Sequence, residues 1–106
     1  MHKLSWKQLA TLIPNKVQVG RKVFYDVLWY KNQEDYVGLS VPDKKEIRLA
    51  LIKDPKETTK TYLHELLHAV SDTHDIGLTE QQVSKLESSF YYLLKDNNVF
   101  NKRGVI

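Results

Sequence analysis

The sequence predicts an α+β fold: a short N-terminal helix, a small, mostly antiparallel sheet of about four strands, and two further helices. Three observations lead there. Apolar residues alternate singly through positions 15–54, they recur at helical spacing beyond Pro55, and turn or capping residues mark the change from one pattern to the next.

The elements follow in order. In LSWKQLATLIP, Ser5 with Gln8 forms a capping box, Trp6, Leu9, Leu12 and Ile13 share a face, and Pro14 stops the helix. In NKVQVGRKVFYDVLWYKNQ, Val17 and Val19 precede a turn at Gly20 and Arg21, and Val23, Tyr25, Val27 and Trp29 follow it, which describes a hairpin. A second strand pair turns at Pro42, Asp43, Lys44 and Lys45, with Ile47, Leu49 and Leu51 on one side of its last strand. Asp54 then caps a helix with Pro55 in its first position and Glu57 at the third, and this helix is expected to run to a left-handed terminator at Gly77. It carries a stripe of Leu63, Leu66, Leu67 and Val70. Thr79 and Gln82 cap the last helix, whose expected apolar face is Val83, Leu86, Phe90, Leu93 and Leu94, ending at Asn97 and Asn98.

At 106 residues the chain has room for one modest core, so residues 1–106 are read as a single domain. It has no cysteine, which excludes disulfides, iron–sulfur clusters and thiolate metal sites, so any ion must be held by nitrogen and oxygen. The opening MHKLSWKQLATLIP lacks the apolar run of a signal peptide, and nothing in the sequence approaches a membrane span; a cytoplasmic protein is expected. The net charge of +3 comes from lysines scattered among acids, so nucleic acid is not a favoured partner.

The chemistry concentrates in TYLHELLHAVSDTHDIGLTEQQVSKLE. His64 and His68 are four apart on a helix, so both imidazoles leave one face and can meet one ion. Glu65 stands between them. In the pattern His-Glu-x-x-His the two imidazoles bind zinc, and the glutamate, which is not a ligand, accepts the proton of the water that the ion activates. Two imidazoles and a carboxylate suit Zn2+ better than manganese, cobalt or iron.

Three residues compete to complete the shell. His74 follows His68 by six positions, but in a helix reaching Gly77 it points about 240° away, and Ser71 occupies the position where a glycine would let the chain turn back. Glu87 has eighteen residues between itself and His68. Glu80 opens the last helix twelve residues after His68, within reach of a folded-back loop.

The runs LHELLHAVSD, LTEQQVSKLE and LLKDN, preceded by strands ending in EIRLALI, resemble the small zincin-like metallopeptidases of bacteriophages and prophages, related to SprT-like and ImmA/IrrE-type proteases. The resemblance spans about residues 17–97 and is sharper in the helices than in the strands. It implies Glu80 as the third ligand, a protein or peptide substrate, and a sheet edge lining the cleft, either at Glu46 to Ile52 or at Val37 to Val41. Tyr36, Tyr62 and Tyr91 are candidates to stabilise the oxyanion.

The expected activity is therefore peptide hydrolysis by a zinc metallopeptidase, with His64, His68 and Glu80 as ligands and Glu65 as general base. Two alternatives stand beside it. One is an endoribonuclease resembling YbeY, with His64, His68 and His74 as ligands, although that family has glycine at the positions of Glu65 and Ser71. The other is a non-catalytic, metal-stabilised regulatory protein of a phage, which would have no use for Glu65.

Overall fold

The computed structural model describes residues 13–31, 36–51 and 54–97. Within them lie four strands and two α-helices: β1 (Lys16–Gly20), β2 (Val23–Tyr30), β3 (Gly38–Val41), β4 (Glu46–Ala50), α1 (Pro55–Thr73) and α2 (Glu80–Asp96). The expected N-terminal helix falls outside the described residues except for Ile13, which is buried, and Pro14.

Both expected hairpins form. β1 pairs antiparallel with β2 through a turn in which Lys22 takes a left-handed conformation, φ 60°. β3 pairs antiparallel with β4, joined by a single 3-10 turn at Pro42–Lys44 that Lys45 closes at φ 51°. The hairpins meet through β2 and β4, which run parallel, so the sheet is mixed and its order is β1-β2-β4-β3. β4 is therefore an interior strand, and β3, like β1 at the other side, is an edge strand.

One sheet face is covered by α1. Tyr25 and Val27 of β2 and Ile47 and Leu49 of β4 alternate inward and pack with Val19, Ile13 and Ala69 into the core, flanked by Tyr62, Leu66 and Val70. Fully burying side chains of this size contributes about 1.5–3 kcal/mol each. Outward-facing Phe24 and Leu39 are exposed, and Arg48 on the same face binds its neighbour Glu46 at 2.9 Å.

β3 can approach α1 because residue 38 is a glycine. A Cβ there would lie 2.4 Å from Thr61 Cγ2 and 3.1 Å from Glu65 Cγ, so any side chain would push the edge strand off the helix. The close approach sets the distance between β3 and Glu65.

α1 begins as expected, with the Asp54 carboxylate accepting from the Lys56 and Glu57 amides at 3.0 and 3.4 Å. It ends earlier than expected. The left-handed residue is Asp75, φ 54°, and Ile76 N–H donates to Ser71 O at 2.9 Å while Asp75 N–H donates to Asp72 O at 3.3 Å, the bond pattern of a Schellman ending. Aspartate tolerates that conformation, so the left-handed terminator comes two residues before Gly77, whose own positive φ serves the loop.

α2 carries the reciprocal Thr79–Gln82 capping box. Its inward face differs from the expected one: Val83 and Tyr91 are buried, whereas Phe90 and Leu93 are exposed. At about 100° per residue, the direction midway between Val83 and Tyr91 is that of Glu87, with Glu80 about 20° away. The helix is turned so that its glutamates face α1, and this leaves Leu93 on the outside.

Candidate metal centre

His64 and His68 project from α1 toward the first turn of α2. The Glu80 carboxylate bridges them, with Oε1 2.5 Å from His64 Nε2 and Oε2 2.9 Å from His68 Nε2. Among the described residues these three form the group able to hold an ion, their ligand atoms lying within 4.8 Å of one another. Neighbouring ligand atoms around tetrahedral zinc are about 3.3 Å apart, so small side-chain movements accommodate an ion. Two imidazoles and one carboxylate fit zinc as a donor set.

Ser71 brings Glu80 back to the histidines. Its backbone carbonyl ends α1, and its buried hydroxyl accepts from Leu78 N–H at 2.9 Å, which ties the loop to the helix just before α2 starts. In the sequence this position shows only a missing glycine, and the signal that was available is the serine itself in the last turn of a helix, whose hydroxyl can bond a nearby backbone group.

His64 is held from both sides. Its Nδ1 lies 2.8 Å from Glu87 Oε1, and the other oxygen of Glu87 is 3.7 Å from Lys60 Nζ. Burial opposes the imidazolium, but the hydrogen bond to Glu87 and the charges of Glu65 and Glu80 outweigh it and raise the His64 pKa above its ordinary value. With both ring nitrogens facing carboxylates, the metal-free side chain satisfies them best as a cation. The Glu80 carboxyl loses a little solvation, but His64 and His68 together hold its pKa below the usual value.

Glu65 is buried beside the histidines. Desolvation pushes its pKa up, against the pull of His64, His68 and the Ser40 backbone amide and with the push of Glu80. Glu65, His64, His68 and Glu80 line one cleft of about 570 Å³, together with Gly38, Leu39 and Ser40 of β3. Of the two expected edge segments, the one bordering the cleft is β3; β4 lies inside the sheet.

The remaining candidates sit elsewhere. His74 lies at the end of α1 with Nε2 2.9 Å from Val19 O, outside the ligand group, so the three-histidine arrangement is not assembled. Glu87 faces Nδ1 of His64 rather than the ligand atoms. Tyr91 is buried, Tyr62 packs on the core with its pKa pushed up to about 12 by burial, and Tyr36 lies near Arg48; none of the three lines the cleft. Lys60 went unremarked in the sequence, although its four-residue spacing from His64 places it on the same helical stripe.

No protein-family model, no curated protein and no solved structure matches this chain. Among the described residues, no helix is long and apolar enough to cross a membrane.

Proposed function

We propose that the protein is a zinc-dependent metallopeptidase of zincin-like fold, a small phage- or prophage-type relative of the SprT-like and ImmA/IrrE-type proteases that works in the cytoplasm. The observation that carries this reading is the convergence of His64, His68 and Glu80 beside a buried Glu65 in one cleft. A zinc ion held by those three residues supplies Lewis acidity, lowering the pKa of water to about 7 and polarising a carbonyl.

The protein's own groups do the rest. Glu65 is the general base: its raised pKa makes it a better proton acceptor than an exposed carboxylate, and it can return the proton to the leaving amine. The Ser40 amide helps to orient it. β3 ends the sheet at the cleft, where an extended peptide can lie along a strand. A peptide fits the lining better than RNA does, because among the described residues the cleft carries Glu65, Asp72, Asp75 and Glu80 and no lysine or arginine to meet phosphates.

Glu65→Gln tests the assignment. The variant is expected to bind zinc as the wild type does while cleavage of a fluorogenic peptide library falls by roughly a hundredfold or more. Equal cleavage by both proteins would remove Glu65 from the chemistry, and no cleavage by the zinc-loaded wild type would favour a binding module.

A further inference from the structure

Glu87 and Lys60 lie outside the ligand group, yet both act on His64. We propose that Glu87, anchored by Lys60, is a positioning residue that fixes the His64 ring so that Nε2 alone is offered to the ion; this role rests on the metal site proposed above.

A neutral imidazole has one N–H and one lone pair, so the partner of one nitrogen decides the state of the other. Glu87 Oε1 lies 2.8 Å from Nδ1, and a carboxylate only accepts. Nε2 also faces a carboxylate, Glu80 Oε1 at 2.5 Å, so it is when an ion takes the Nε2 lone pair that the ring's one proton belongs on Nδ1, where Glu87 accepts it. Removing Glu87 lets the ring place its proton on Nε2, where it competes with the ion, or turn the wrong nitrogen toward it. His68 has no such brace: among the described residues, its hydrogen-bond partner is Glu80, through Nε2.

Lys60 explains why Glu87 braces the ring instead of joining the shell. It stands one turn before His64 on α1 and takes the second carboxylate oxygen, Oε2, at 3.7 Å. The three side chains are shielded, with 20, 18 and 16% exposure for Lys60, Glu87 and His64, whereas Glu80 is 69% exposed. An ion pair so placed is screened far less than one at the surface, so the lysine holds the carboxylate in place, directed at Nδ1. Partners of this kind typically change metal affinity by roughly 10- to 100-fold.

The test is the zinc Kd of the full chain, measured at neutral pH by competition with a chromophoric chelator. The wild type is compared with Glu87→Ala, Glu87→Gln, Lys60→Met and, as a ligand benchmark, Glu80→Ala. The melting transition of each metal-free protein confirms folding, and the nitrogen-15 shifts of zinc-loaded His64 report its tautomer. Glu87→Ala is expected to weaken zinc by roughly 10- to 100-fold. Glu87→Gln, whose carbonyl still accepts from Nδ1–H, recovers much of that loss and keeps the tautomer, and Lys60→Met costs a few-fold. If Glu87→Ala does not fold, the other two variants still decide. Affinities within about twofold of wild type for every folded Glu87 and Lys60 variant would overturn the proposal. A Glu87→Gln loss matching that of Glu80→Ala would also overturn it, by making Glu87 a direct ligand. A wild type that fails to bind zinc would instead remove the metal site itself.

Discussion

Glu80 and Glu87 lie two turns apart on one face of α2, and both reach His64, yet their surroundings differ. Glu80 is exposed, sits in the first turn of its helix and touches two imidazoles at Nε2. Glu87 is shielded, touches one imidazole at Nδ1 and is tied to Lys60. The two positions suit two kinds of work. A ligand must exchange its contacts for an ion, which an exposed side chain can do with little desolvation, whereas a brace must already be fixed before the ion arrives.

The largest effect expected from breaking this contrast is that of Glu80→Ala. It removes a ligand and should weaken zinc by roughly a hundredfold or more while the metal-free fold survives, as chelator competition and circular dichroism would read. An unchanged affinity would mean that another group completes the shell.

A second effect concerns pH. The raised pKa of metal-free His64 contributes stability that is fully present below the ordinary histidine value of about 6.5 and is lost as pH rises through the folded-state value. The lowered pKa of Glu80 contributes stability that is present above the ordinary 4.5 and is lost as pH falls through its folded-state value. These two groups therefore favour the metal-free protein most between about pH 4.5 and 6.5. Zinc demands neutral imidazoles, so its stabilising effect should grow above that window, where the metal-free contribution fades. Melting temperatures with and without zinc from pH 5.5 to 8 would show the two trends crossing; a zinc effect that is flat with pH would exclude the histidines as ligands.

The smallest effect is that of Ser71→Ala. Losing the bond to Leu78 N–H should cost about 1 kcal/mol and loosen the loop that delivers Glu80, lowering zinc affinity a few-fold. Hydrogen exchange at Leu78 would report the loosening. Since Glu87 lies two turns further along α2, the His64 tautomer should not change.

Much of this contrast could be read from the sequence, and the part that could not has physical causes. The hairpins were legible because alternation and turn chemistry are local, as at Val17, Val19 and Tyr25 around the first turn. The parallel pairing of β2 with β4 was not, because alternation says which side chains face inward and leaves open which strands become neighbours. The end of α1 is not legible because Gly77 is the stronger left-handed signal, while the helix stops at a left-handed Asp75 through bonds from the Asp75 and Ile76 amides to Asp72 O and Ser71 O that no propensity encodes. Hydrophobicity alone points Phe90 and Leu93 inward, whereas the face of α2 follows Val83, Glu87 and Tyr91. At the site, the spacing of His64, His68, His74, Glu80 and Glu87 is visible as five candidate ligands, and His74 is turned instead to Val19 O. Which glutamate meets Nε2 and which meets Nδ1 depends on the rotation of α2 about its axis, a property of packing.

The most direct test of the central claim is zinc stoichiometry at neutral pH, measured by calorimetric titration of the wild type and His68→Ala. One equivalent bound by the wild type and none bound tightly by the variant is the expected result. A wild type without a tight equivalent, or a variant that binds as well as the wild type, would contradict the site.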